Sequence, residues 1–207
     1  MEFFQRAAGA PARLGILPGA FNPVTTAHLA LAQAGLAWVD EVLFVLPREL
    51  PHKEFTGASF AQRIEMLRAA LAGETAFSLA SSEGGLFVEI AAECRREYGA
   101  GVRLWFLCGR DAAERIAAWD CGQPGAFAGM LRGFGLLVAS RGGSYEPPAE
   151  FREAIHSLDL AGEWDAISAT RARRRIARGE PGERMVPEAA RELALRVYRG
   201  GAGWGSR

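Results

Sequence analysis

Short apolar runs alternate along the chain with longer stretches in which apolar residues recur every three or four positions. Leu14-Gly15-Ile16-Leu17 stops at Pro18-Gly19 and predicts a buried strand followed by a loop. Ala27 to Trp38 has helical composition. Glu41 to Leu46, EVLFVL, predicts a second buried strand, closed by Pro47, with a polar loop running on to Ala58. Ser59 followed by Gln62 is a capping-box signature, and Ile64, Leu67, Ala70 and Leu71 then recur at helical spacing to an end near Gly73.

A weaker strand is expected at Phe77 to Ala80, then a helix from Leu86 to Tyr98 with Ile90 and Cys94 on its inner side. Val102 to Cys108, VRLWFLC, is the most strand-like stretch. Asp111 to Trp119 and Phe127 to Leu131 read as helical, and Phe134 to Ala139 as a strand broken by Arg141-Gly142-Gly143. A short helix near Ala149 to Ser157 and two longer ones, Ser168 to Arg178 and Pro187 to Arg199, complete the pattern. Apolar strands alternating with helices predict a doubly wound α/β fold with a parallel sheet covered on both faces. Ligands in such sheets collect beyond the carboxyl ends of the strands. Residues 1–12 read as an N-terminal extension, 13–199 as the domain and 200–207 as a flexible tail.

Composition narrows the function classes. A chain of 207 residues suits one domain with a well-buried core. Basic and acidic residues both number 24, so no bulk attraction to nucleic acid or to an anionic membrane follows, and any anion site must be local. The three cysteines, Cys94, Cys108 and Cys121, lack metal-ligand spacing and read as thiols in a reducing compartment. No stretch resembles a secretory leader or a membrane span, and a cytoplasmic protein is expected.

Two segments concentrate chemistry. In PGAFNPVTTAH, Pro18 to His28, Gly19 frees the backbone, Pro23 stiffens the loop, and the helix that follows offers unpaired N–H groups. His28 falls in the first helical turn, where the positive end of the dipole favours a neutral imidazole. Thr25 is placed to cap the helix or to donate its hydroxyl to a phosphate. The residue types alone suit either an anion site or a plain N-cap threonine beside a half-buried histidine. The segment lacks the Gly-Lys-Ser/Thr of a P-loop and the Gly-x-Gly-x-x-Gly of redox dinucleotide enzymes.

The second segment is ISATRARRRIARGE, Ile167 to Glu180. At 100° per residue, Arg171, Arg174, Arg175 and Arg178 share one face and read as a solvated stripe. Arg173 falls instead among Ala172, Ile176 and Ala177. A guanidinium there needs a carboxylate or a phosphate.

GAFNPVTTAH resembles the Gly-x-Phe-(Asp/Asn)-Pro-x-(His/Thr)-x-Gly-His signature of the nucleotidyltransferase superfamily that includes nicotinate and nicotinamide mononucleotide adenylyltransferases. Thr25 replaces the usual first histidine and Ala27 the usual glycine. The second segment resembles the superfamily's Ile-Ser-x-Thr-x-x-Arg motif, matching Ser168, Thr170 and Arg173. Leu50-Pro51-His52-Lys53 with SFAQRIEML is similar to the Pro-Pro-His-Lys segment and Ser-x-x-x-Arg helix of nicotinate-mononucleotide adenylyltransferases, which singles out Lys53 and Arg63. Cys108-Gly109-Arg110-Asp111 resembles their Gly-x-Asp, and Trp119 stands where they often carry a tryptophan. Ser140-Arg141-Gly142-Gly143 and MVPEAARELAL are similar to their Arg-Pro-Gly and Leu-Val-Pro-Glu segments. The likeness runs over residues 13–199 and departs at Ser82-Glu83-Gly84-Gly85-Leu86-Phe87, where Ser-Tyr-Thr is usual.

This resemblance implies a Rossmann-like nucleotidyltransferase that moves AMP from ATP to a pyridine mononucleotide and releases pyrophosphate. It implies that His28 donates to the α-phosphate with Thr25 beside it, and that Gly19, Ala20, Phe21 and Asn22 form the ATP-binding turn. Ser168, Thr170 and Arg173 would hold the outer phosphates, Gly109 and Asp111 the adenosine ribose, and Lys53 and Trp119 the mononucleotide. Mg2+ is expected through the ATP phosphates, with no protein metal ligand. The expected partners are ATP and a pyridine mononucleotide, with neither nucleic acid nor membrane, and a homo-oligomer is left open. Two other readings stay open. Threonine at position 25 also occurs in pantetheine-phosphate adenylyltransferases, which suits another phosphate acceptor; Thr25 and Ala27 as departures suit a non-catalytic nucleotide-binding regulator.

Overall fold

The structure, a computed structural model, describes residues 1–49, 57–117, 125–140, 145–160 and 162–199. Its strands are β1 (Glu2–Gln5), β2 (Arg13–Pro18), β3 (Glu41–Pro47), β4 (Phe77–Ser82), β5 (Arg103–Gly109), β6 (Gly135–Ser140) and β7 (Ile155–Asp159). The α-helices are α1 (Thr26–Gly35), α2 (Phe60–Ala70), α3 (Phe87–Tyr98), α4 (Arg110–Ala117), α5 (Ala126–Leu131), α6 (Ala169–Ala177) and α7 (Arg191–Tyr198).

The strands form one sheet in the order β1-β4-β3-β2-β5-β6-β7. Only β1 runs antiparallel to its neighbour among the described strands. Numbered among themselves, the six parallel strands stand in the order 3-2-1-4-5-6. That is the doubly wound Rossmann arrangement, and its switch point lies between β2 and β5.

The continuous apolar runs have a direct cause. Val42, Phe44 and Leu46 of β3 pack into one core layer, whereas Leu43 and Val45 pack into the other. The same alternation divides Leu137 and Ala139 of β6 from Leu136 and Val138. Both faces of these strands are covered, so no polar alternation survives in the sequence. The capping box expected at Ser59 is present: Ser59 N–H donates to Gln62 Oε1 at 2.8 Å and Gln62 N–H to Ser59 Oγ at 3.2 Å.

Two expectations need correction. The helix expected from Ala149 to Ser157 is a single 3-10 turn, Ala149–Phe151, followed by strand β7. Ile155 packs into one core layer and Leu158 into the other, so their spacing of three imitates a helix. The N-terminal extension is also part of the sheet. Phe3 packs towards one layer and Phe4 towards the other, and Gln5 Nε2 donates to the carbonyls of Leu71 and Phe77, each at 3.2 Å. Arg48 ties this edge down through Glu2 and through Glu83, the latter at 3.1 Å. Among the described residues no helix is long and apolar enough to cross a membrane.

Candidate functional site

The turn between β2 and α1 brings together most of what the first motif supplies. Thr25 is the N-cap of α1, with extended backbone and 1% exposure. Its N–H donates to Nδ1 of His28 at 2.9 Å, and its Oγ1 stands 2.8 Å from the same nitrogen. A main-chain N–H can only donate, so Nδ1 must accept and the neutral ring carries its proton on Nε2. With Nδ1 unprotonated, the Thr25 hydroxyl also points its proton at His28. The threonine therefore serves the imidazole, a third role beside the cap and the phosphate contact its position suggests. Phe21 meets the imidazole edge-on at 5.1 Å between centroids and 72° between planes.

The turn is held from outside by two arginines. Arg173 of α6 donates from Nη1 to the main-chain oxygen of Asn22 at 2.5 Å, across 151 residues of sequence. Arg63 of α2 donates from Nη1 to the main-chain oxygen of Ala20 at 3.0 Å. Arg63 is 5% exposed and lies over the Phe60 ring, so it is not a solvated helix residue. Burial draws both guanidinium pKa values below the ordinary arginine range. Among the described residues no carboxylate pairs with Arg173. A half-buried cation whose recorded partner is a carbonyl retains most of its charge for an anion.

Asn22 itself turns inward. Its side-chain Oδ1 accepts from Ala58 N–H at 3.1 Å and from the Tyr198 hydroxyl at 2.5 Å. The sequence places Asn22 in the ATP-binding turn; in the structure its carboxamide oxygen secures that turn to α7 and to the residues before α2.

A cavity of about 240 Å³ opens at the carboxyl ends of β2 and β5, at the sheet's switch point. His28, Pro18, Ala27, Gly109, Ala112 and Phe87 are among its lining residues. Gly109 ends β5, and a Cβ built there would meet no heavy atom within 4 Å. The fold does not need glycine at this position, so its bareness serves the cavity. Ala27 presents its methyl where the signature usually has glycine. Cys108 also borders the space, and burial pushes its thiol up to about 12, which leaves it unionised and unsuited to nucleophilic work at neutral pH.

The remaining predicted residues stand at helix starts outside that lining. Ser168 is the N-cap of α6 and accepts from Arg171 N–H at 3.2 Å, which leaves its own hydroxyl proton available. Thr170, in the first turn, is exposed, as is Asp111 in the first turn of α4. Gly19 packs under the Phe21 ring, 3.1 Å from where a Cβ would sit. Lys53, Trp119, Cys121 and the Arg141-Gly142-Gly143 segment lie outside the described residues, as does the tail. Among the described residues no group of three or more His, Cys, Asp or Glu is arranged to hold a metal ion. Sequence reasoning missed Tyr198 and Phe87, which carry no motif signal; they read as ordinary apolar helix positions.

Comparison with known proteins bears on this geometry. Residues 16–175 match the cytidylyltransferase-like family. The chain is 32% identical over 200 residues to the probable nicotinate-nucleotide adenylyltransferase of Moorella thermoacetica, covering 88% of each. It is 29% identical over 225 residues to the probable nicotinate-nucleotide adenylyltransferase of Chromobacterium violaceum, covering 91% of this chain and 99% of that one. The solved structure of Plasmodium falciparum nicotinic acid mononucleotide adenylyltransferase complexed with NaAD shares the fold, with a TM-score of 0.69 at 16% identity, over 89% of this chain and 95% of that one.

Proposed function

We propose, from the premise that the chain belongs to the cytidylyltransferase-like family and within it to the nicotinate-nucleotide adenylyltransferases, that it transfers AMP from ATP to nicotinate mononucleotide. The observation that carries this reading is the junction of the two motifs. Arg173 reaches the main chain of the turn that bears His28, and His28 faces a cavity at the switch point of the sheet.

The reaction asks for alignment and charge neutralisation rather than a covalent intermediate. A 5′-phosphate oxygen of the mononucleotide attacks the α-phosphorus of ATP, and the bond to the bridging oxygen of the β-phosphate breaks. Pyrophosphate leaves with that electron pair. His28, its proton on Nε2, donates to an α-phosphate oxygen, while the free N–H groups opening α1 face the same charge. Arg173, with the hydroxyls of Ser168 and Thr170, takes the β- and γ-phosphates. Gly109 admits the adenosine and Asp111 accepts from its ribose.

A cavity of about 240 Å³ is too small to enclose all of ATP, so the nucleotide extends over its rim. That suits the exposed starts of α4 and α6. Lys53 and Trp119 are assigned to the mononucleotide on the family resemblance alone. Mg2+ would be carried on the ATP phosphates, where it would help neutralise their charge, and no protein side chain is assigned to hold it. The enzyme is expected to work in the cytoplasm.

Pyrophosphate release with ATP and a panel of acceptors tests the reading. Nicotinate mononucleotide should be the best substrate, ahead of nicotinamide mononucleotide and 4′-phosphopantetheine. Preferred turnover of phosphopantetheine, or ATP binding with no turnover of any acceptor, would overturn it.

A further inference from the structure

The side-chain oxygen of Asn22 is held by two donors, and the last helix supplies one of them. Tyr198 ends α7 and is fully buried, with its hydroxyl 2.5 Å from Asn22 Oδ1. The same oxygen accepts from Ala58 N–H at 3.1 Å. The fit is close: a Cβ on Gly57, whose φ is +139°, would fall 2.2 Å from Asn22 Nδ2. A side chain at position 57 would therefore push the carboxamide away from its partners.

What this grip holds is strained. Phe21, the residue before Asn22, has φ of +43°, in the left-handed region that bulky residues avoid. Such a conformation persists only where the surroundings over-determine it. The carbonyls on either side of Phe21, those of Ala20 and Asn22, are taken by Arg63 and Arg173, and the Asn22 side chain is taken by Tyr198 and Ala58. Phe21 in turn abuts the His28 ring at 5.1 Å.

We infer that Tyr198 is a positioning residue for the transfer reaction: its hydroxyl fixes Asn22, Asn22 fixes Phe21, and Phe21 fixes the face of His28 presented to the α-phosphate. Burial raises the phenol above its ordinary pKa, so it remains a donor throughout the neutral range. Tyr198 touches no substrate and acts through Asn22. The last helix is thus a support of the phosphate-binding turn, 176 residues away in sequence.

The inference rests on the adenylyl-transfer reading, and its test keeps the two apart. Tyr198→Phe retains the ring and deletes the donor. Its kcat should fall about tenfold, the scale set by one lost hydrogen bond expressed at the transition state, with KM for the mononucleotide unchanged. Asn22→Ala should lower kcat at least as far, and adding Tyr198→Phe to it should lower kcat no further. Ile90→Val, in the other core layer, weakens the fold without touching the turn and should keep wild-type kcat. The ring 15N and 1H resonances of His28 give a readout without turnover, and Tyr198→Phe should shift or broaden them in the free protein. A Tyr198→Phe enzyme with kcat within twofold of wild type and unmoved His28 resonances overturns the inference while leaving the reaction intact. A wild-type protein inert with ATP and nicotinate mononucleotide sinks the functional reading, and unmoved His28 resonances would then sink the inference as well.

Discussion

The main-chain N–H of Thr25 donates to Nδ1 of His28 at 2.9 Å, which leaves Nε2 as the protonated nitrogen of the neutral ring. A long-range 1H–15N spectrum should therefore show an unprotonated, pyridine-like Nδ1 and a protonated Nε2 once the ring is neutral. The opposite tautomer would mean that the cap does not set the imidazole. Thr25→Val keeps the shape and the main-chain donor but removes the hydroxyl, so it should preserve the tautomer while lowering turnover modestly.

Arg173 donates to the Asn22 carbonyl, and the proposed function assigns it to the ATP phosphates as well. Arg173→Ala removes the donor to the Asn22 carbonyl and should cost about 1–3 kcal/mol of stability, read by chemical denaturation. It should also raise KM for ATP by at least an order of magnitude. Arg173→Lys can reach a carbonyl or a phosphate but not both with a fork, so its ATP defect should exceed its stability defect. Normal KM for ATP in Arg173→Ala would remove this residue from the phosphate site.

Gly109 separates fold from function cleanly. A side chain there meets open space, so Gly109→Val should leave stability within about 0.5 kcal/mol of wild type. The added methyl groups enter the cavity beside His28 and should raise KM for ATP strongly. If the variant binds ATP normally, the adenosine lies elsewhere.

Alkaline pH should destabilise the protein. Burial pushes the thiols of Cys94 and Cys108 from 9.0 up to about 12. Between those values the unfolded chain releases protons that the folded one retains, so stability falls as pH rises, and it is intact below pH 9. The buried phenols of Tyr98 and Tyr198 add to the same trend above their ordinary value of 10.0. Denaturation midpoints should hold up to about pH 9 and decline above it, and the decline should be smaller in Cys94→Ala. A rise over that range would contradict the burial of these groups.

Local pattern made the parallel core legible, because β3, β5 and β6 are buried on both faces and their apolar runs admit no other reading. It misled at β7, where Ile155 and Leu158 serve opposite layers and imitate a helical stripe. It gave little at β1, whose pairing with β4 depends on contacts some 70 residues away. The site divides in the same way. His28 and Arg173 could be read from residue type and position, since each is an exception to its surroundings, a histidine in a helix start and an arginine on an apolar face, whereas Gly109 comes from the family resemblance. The family resemblance singles out Arg63 but not its contact, and Tyr198 carries no signal at all. Their partners are a main-chain carbonyl and an amide side chain in a distant turn, which local pattern in α2 and α7 does not encode.

The central claim is that the turn at Thr25–His28 carries adenylyl transfer. The most direct measurement is pyrophosphate release from ATP and nicotinate mononucleotide by the wild-type protein and by His28→Ala, at saturating substrates. The account predicts robust release by the wild type and a loss of at least about 100-fold in kcat for His28→Ala, with the unfolding transition preserved, on the scale of removing one donor from a developing oxyanion. Near-wild-type kcat in His28→Ala would contradict it.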